Sequence, residues 1–133
     1  MIFIDTGAFL ARYVERDQYH HAAIEHWRTL QEDRRSCFTS SFVLDETITL
    51  LARRSTYHFA AERARSLFGS RLLSILRPDG NDELAALELF EKYADQEVSF
   101  TDCVSFVLME KQNIKCAFSF DRHFAVAGFD VEP

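Results

Sequence analysis

Residues 1–10 read MIFIDTGAFL. Ile2 to Ile4 is a short β-branched and aromatic run, the composition of a buried strand. From Ala8 to Val14 the apolar residues recur with helical spacing. One acid, Asp5, stands between the two, where the strand ends. Strand, acid and helix within fourteen residues is the opening of an α/β unit.

The rest of the chain continues in that rhythm. Tyr19 to Gln31 places Ala22, Ala23, Trp27 and Leu30 close to period 3.6 and predicts a second helix. Cys37 to Thr39 reads as a strand, and Ser40 or Ser41 is a suitable N-cap for the helix in SSFVLDETITLLARR, residues 40–54. Phe59 to Phe68 is amphipathic. Leu72 to Leu76 is an apolar segment bounded by the turn signal Arg77-Pro78-Asp79-Gly80. Asp79 or Asp82 starts a helix whose first turn is acidic, as the helix dipole favours, with Leu84, Leu87, Phe90 and Tyr93 on its apolar face. Thr101 to Gln112 is the last long helix, Ala117 to Phe120 a strand, and Phe129 to Val131 a short edge strand. This alternation predicts right-handed βαβ units and a parallel sheet between helical layers. No internal repeat or boundary interrupts it, so residues 1–133 read as one domain.

Composition narrows the class. Four Gly and two Pro are too few for a turn-rich β-sandwich, and 13 Phe predict an aromatic core. No apolar run approaches the ~18 residues of a membrane span, and no basic leader precedes one, so a cytoplasmic protein without a signal peptide is expected. Cys37, Cys103 and Cys116 are odd in number and lack CxxC spacing, which predicts buried thiols rather than disulfides or a zinc site. The five histidines form no HxxxH or HExxH array, and His123 reads as a surface turn residue.

Four acids carry the chemistry. Asp5 closes the first strand, Glu46 lies within a helix, Asp102 opens another helix, and Asp121 follows the last internal strand. In an open α/β sheet the carboxyl ends of neighbouring strands share one crevice. Two carboxylates gathered there repel by about 4 kcal/mol at ~4 Å and an effective dielectric of ~20. Keeping them all ionised calls for a divalent cation, and hard oxygen ligands select Mg²⁺ or Mn²⁺. The chemistry this predicts is phosphodiester hydrolysis by a water that the metal activates. Thr6, Thr101 and Ser105 are candidates to orient the carboxylates.

Each acid also has a purely structural reading. Asp5 can cap the first helix, Ser99 and Asp102 can form a capping box, Asp121 can cap a turn, and Glu46 can pair with Arg53. Asp45 competes with Glu46, and helix geometry turns the two about 100° apart. A net charge of −6 looks wrong for a nucleic-acid enzyme, but setting four carboxylates aside brings it to −2. Twelve of the 15 basic residues are Arg, suited to forked phosphate contacts. Arg12, Arg16, Arg53 and Arg54 follow the first two acidic motifs, as cleft residues or as solvated helix faces.

FIDTGAF, VLDET, FTDCVSF and FSFDRHF, in that order, resemble the four acidic motifs of PIN-domain ribonucleases, closest to VapC-type toxins of toxin–antitoxin pairs. The resemblance covers essentially the whole chain and selects Glu46 over Asp45. It implies a PIN-like three-layer α/β fold, with a mostly parallel central sheet and helices on both faces. It implies a Mg²⁺-dependent endoribonuclease cutting single-stranded RNA, with Asp5, Glu46, Asp102 and Asp121 as both catalytic and metal-holding residues. It also implies a homodimer silenced by a cognate antitoxin protein.

Two other classes share parts of the pattern. Asp5-Thr6-Gly7-Ala8 reproduces the short signature of aspartic proteases, but the helical content is wrong for their all-β fold. A non-catalytic α/β metal- or protein-binding module also gathers acids at strand ends. A phosphoacceptor domain would need a lysine after a late strand, and Lys115 precedes its strand.

Overall fold

A computed structural model describes Met1–Pro133. Five strands form one sheet: β1 (Ile2–Ile4), β2 (Cys37–Ser40), β3 (Leu73–Leu76), β4 (Cys116–Phe118) and β5 (Asp130–Glu132). Their order is β3-β2-β1-β4-β5, and every neighbouring pair is parallel. The helices are α1 (Thr6–Tyr13), α2 (His20–Glu32), α3 (Ser41–Arg54), α4 (Tyr57–Gly69), α5 (Gly80–Lys92), α6 (Phe100–Lys111) and the short α7 (His123–Val126). No helix is long and apolar enough to cross a membrane.

The alternation of β1 shows how the layers form. Ile2, Phe3 and Ile4 are all fully buried, so both faces of the strand are covered. Phe3 faces α7, where its ring lies 6.4 Å from that of Phe124. Phe118 pairs in register with Ile4 and faces α2, with ring centroids 4.6 Å from His26 and 5.3 Å from Trp27. Helices therefore sit on both faces of the sheet, as the period-2 pattern requires.

The core is aromatic, as the composition predicts. Phe106 on α6 meets Tyr93, Phe124 and Phe129 with ring separations of 6.2, 5.1 and 5.7 Å. Its ring is 2% exposed. Phe106→Ala is expected to cost about 3–5 kcal/mol of stability, the range for a buried Phe emptied to a cavity. Urea unfolding measures it, and a loss below about 1 kcal/mol would show that the layer repacks.

Two expectations from periodicity are corrected. Leu84, Leu87 and Phe90 face outward on α5, and Asp82, Ala86, Leu89 and Tyr93 pack inward. A capping box sets that rotation. The Asp79 carboxylate accepts the Asp82 amide at 2.8 Å, and the Asp82 carboxylate accepts the Asp79 amide at 3.0 Å. Lys111 of α6 then donates to Asp82 at 3.2 Å, and the small Ala86 lets the two helices close. Ala22 of α2 is exposed, and the half-buried His26 shares the inward face with Ala23, Trp27 and Leu30. Of the three free thiols, Cys103 is buried while Cys37 and Cys116 are only half-buried.

Topology fixes where a site can form. From β1 the chain builds outward to β2 and β3, then crosses back to lay β4 on the other side of β1. The switch point of the sheet therefore lies at the carboxyl ends of β1 and β4, the crevice where open α/β sheets bind ligands.

Candidate active site

Asp5 and Asp121 flank that switch point. The backbone stays extended at Asp5, whose N–H donates to the Phe118 carbonyl at 3.1 Å and ties the end of β1 to the end of β4. Asp5 occupies the N-cap position of α1 without a side-chain cap bond. Its Oδ2 instead accepts the Ser119 hydroxyl at 2.8 Å, and Ser119 Oγ accepts the Asp121 amide at 3.0 Å. One serine thus couples the two acids. The Asp121 carboxylate accepts the His123 amide at 2.9 Å, so the turn-cap reading of Asp121 also holds.

Asp102 enters from the first turn of α6. The Ser99 hydroxyl caps that helix by accepting the Asp102 amide at 3.1 Å, and the Asp102 side chain points to the cleft. His123 Nδ1 lies 3.3 Å from Asp102 Oδ2 and 3.1 Å from Asp121 Oδ1. Glu46 reaches the cleft from α3, where it is half-buried and Asp45 is exposed. The helix ends with Arg54 bound to Asp17 at 3.2 Å.

Burial sets the electrostatics. Asp5 is 5% and Asp102 7% exposed. Loss of solvent, then repulsion by Asp102 and Asp121, pushes the Asp5 carboxyl up to about 7 despite the Ser119 hydrogen bond. Loss of solvent, then repulsion by Asp121 and Glu46, pushes Asp102 up to about 7. No lysine or arginine neutralises the group, since the one arginine lining the cleft is the paired Arg54. Two features fit a divalent cation here. Asp102, Asp121 and His123 each offer a ligand atom, all within 4.8 Å of one another. The Thr6 hydroxyl is buried beside them without a hydrogen-bond partner.

The sequence profile of the PIN domain matches residues 2–130. The chain belongs to the PIN-domain family. The PIN domain here is 35% identical over 134 residues to the 23S rRNA-specific endonuclease VapC20 of Mycobacterium tuberculosis, covering 100% of this chain and 99% of the relative. It is 30% identical over 132 residues to the VapC ribonuclease of Archaeoglobus fulgidus, covering 92% of this chain and 78% of that one. The crystal structure of Mycobacterium tuberculosis VapC20, described as a sarcin-ricin loop cleaving toxin, superposes with a TM-score of 0.88 at 32% identity, over 100% of both chains. The family expected from the four motifs is the family found, and the reading of the chain as a ribonuclease stands with it.

All four acids of this PIN domain line one cleft of about 450 Å³. Two residues of the cluster escaped the sequence reading. His123 is not a surface turn residue, because its side chain is 16% exposed between two carboxylates. Ser119, and not Thr6, Thr101 or Ser105, is the hydroxyl that holds the Asp5 carboxylate, since the Thr6 hydroxyl has no partner and Ser105 donates back to the Thr101 carbonyl at 3.1 Å. Both lie two residues from Asp121, on either side, and that spacing was the available signal. Arg12 is not in the cleft. Its guanidinium lies 4.7 Å over the Trp27 ring in a separate cavity of about 540 Å³. That larger cavity opens beside Cys37 and Leu73, the first residues of β2 and β3, and holds none of the acids.

Proposed function

We propose that this PIN domain is a Mg²⁺-dependent endoribonuclease that cuts single-stranded RNA, with Mn²⁺ able to replace Mg²⁺. The observation that carries this reading is the pair of buried carboxyls, Asp5 and Asp102, raised to about 7 in a cleft with no basic side chain free to neutralise them. Asp5, Asp102 and Asp121 hold the ion, and Glu46 completes the acidic ring from α3. When bound, such an ion lowers the pKa of water and stabilises charge on the phosphate being cut.

The chain's own residues keep the acids ready. Ser119 fixes the Asp5 carboxylate and the Asp121 backbone together. His123 sets one ring nitrogen against both Asp102 and Asp121 and so holds the two carboxyl groups together. The Thr6 hydroxyl is a spare donor for a phosphate oxygen or a water.

By likeness to the relative named for it, 23S rRNA is the first substrate to test. The chain acts in the cytoplasm as the toxin of a toxin–antitoxin pair, restrained by a cognate antitoxin protein. The outward apolar face of α5, with Leu84 63% exposed, supports a homodimer.

The test is cleavage of purified 23S rRNA, mapped by primer extension. Mg²⁺ or Mn²⁺ should produce a discrete cut, and chelator should abolish it. Intact RNA in both metals, or cleavage indifferent to chelator, would overturn the reading. Metal binding seen by calorimetry without any cleavage would favour a non-catalytic module.

A further inference from the structure

The cleft holds an aromatic pair that the acids do not need. Tyr19, at the end of the α1–α2 connection, lies flat on Phe120, with ring centroids 4.4 Å apart and planes 2° from parallel. Both residues line the acidic cleft, and Phe120 immediately precedes Asp121. The pair is built on the core, because Phe120 packs edge-on against the buried Phe118 at 5.9 Å. Tyr19 is nevertheless 41% exposed.

The connection that carries Tyr19 is pinned. The Asp17 carboxylate accepts the Tyr19 amide at 2.9 Å and an Arg54 N–H at 3.2 Å. Arg16 donates to the Arg54 carbonyl at 2.7 Å. Asp17 also accepts the His20 amide through its carbonyl and donates its own amide to Val14, both at 3.0 Å. A large ring is thus held open to solvent, in a fixed orientation, stacked on the residue that precedes Asp121. The exposed Gln18 stands beside it on the cleft wall.

We propose that Tyr19, backed by Phe120, is a stacking platform for an unpaired nucleobase of the RNA, on the nucleotide beside the bond that is cut. This rests on the ribonuclease reading above and adds the subsite that seats the strand. A base continues the two-ring stack on the outer face of Tyr19, where it gains contact and sheds water while its phosphate enters the acidic cleft. Every base has a π face, so the platform selects for an unpaired base rather than for its identity. That gives a preference for single strands in a cleft that has no free basic side chain to grip the backbone. Pinning the ring before binding removes most of the ordering cost.

The experiment uses a fluorescein-labelled RNA hairpin carrying the sarcin-ricin loop, titrated in Mg²⁺ buffer and read by anisotropy. The Asp5→Asn background keeps the RNA whole. Tyr19→Ala should weaken binding at least about 10-fold, and Tyr19→Phe should bind normally, because the ring and not the hydroxyl makes the contact. An abasic nucleotide at one loop position should weaken binding by the same factor, and by nothing further when combined with Tyr19→Ala. With Asp5 restored, Tyr19→Ala should raise KM and leave kcat within about 3-fold. Tyr19 is exposed, so Ala there leaves the fold intact, and circular dichroism checks it. Additive losses, or Tyr19→Ala binding as tightly as its parent, overturn the platform even if the RNA is cut. RNA bound in a Tyr19-dependent way but never cut overturns the ribonuclease reading and leaves the platform. RNA that is not bound at all overturns both.

Discussion

Asp5→Asn is expected to lower RNA cleavage at least about 100-fold and, in the same protein, to raise the melting temperature at pH 8 in chelator. The activity loss follows from the role proposed for the carboxylate. Removing residues that merely support a metal ligand costs about 10- to 100-fold, so removing a ligand costs no less. The stability gain follows from burial. Asp5 is 5% exposed, with its carboxyl raised from 3.8 to about 7 by lost solvent and by Asp102 and Asp121. Holding it ionised at pH 8 costs up to about 4 kcal/mol, at ~1.36 kcal/mol per pKa unit. Asn keeps the shape, still accepts the Ser119 hydroxyl, and carries no charge. Relief of even half that cost raises the melting temperature by about 8 °C for a domain of this size. Ala in place of Asn would blur the result, because Ser119 would lose its acceptor. A purely structural Asp5 predicts the opposite pair, with cleavage retained and the melting temperature lowered. Gel assays of 23S rRNA and a thermal scan of each variant decide between them.

The division between what the residues revealed and what they hid follows the range of the interactions. Ile2–Ile4 with Asp5 declared a strand, an acid and a helix because strand composition and helical spacing are local properties. Parallel order followed from alternation, and every strand pair is parallel. Glu46 against Asp45 was not local. Spacing separates two neighbours around a helix without saying which side meets the cleft, and the family motif chose where periodicity was silent. The structure leaves Asp45 exposed and puts Glu46 on the cleft wall.

The misreadings have the same origin. On α5 the run Leu84, Leu87, Phe90 is the stronger apolar stripe, yet it faces out. The helix is rotated by a capping box and by Lys111 of α6, 29 residues away from Asp82. His123 looked like a turn residue because nothing in FSFDRHF says that Asp102 will arrive beside it from another helix. Ser119 is not legible as a carboxylate partner in the sequence, because Asp5 is 114 residues away. Residues whose role depends on one distant neighbour are the ones a linear reading loses.

Those distant neighbours also set how stability should respond to pH. In chelator, the melting temperature should fall between pH 5 and pH 8. Asp5 and Asp102 titrate near 3.8 when unfolded and at about 7 when folded. Between those values the folded chain binds more protons than the unfolded one, so stability drops as pH rises. Burial is the main cause for each acid, so the two contributions add. The loss is on the order of 5 kcal/mol, or about 15–20 °C. Asp121, Glu46 and His123 face the same cleft and belong to the same network. His26 works in the other direction, since burial lowers its pKa and its unfolded form binds the extra proton below about 6.5. Asp5→Asn separates the two, because it should remove the share of the fall that Asp5 carries, leave that of Asp102, and not touch His26. Mg²⁺ or Mn²⁺ should offset the trend only where the acids are ionised. At a hundredfold excess over its Kd the ion adds about 2.7 kcal/mol at pH 8, about half the loss. At pH 5 protons hold the same oxygens, and the ion adds little. A domain whose acids were ordinary surface carboxylates would show a flat or rising curve in chelator and no pH-dependent response to metal, and either outcome would dismantle the account of this cleft.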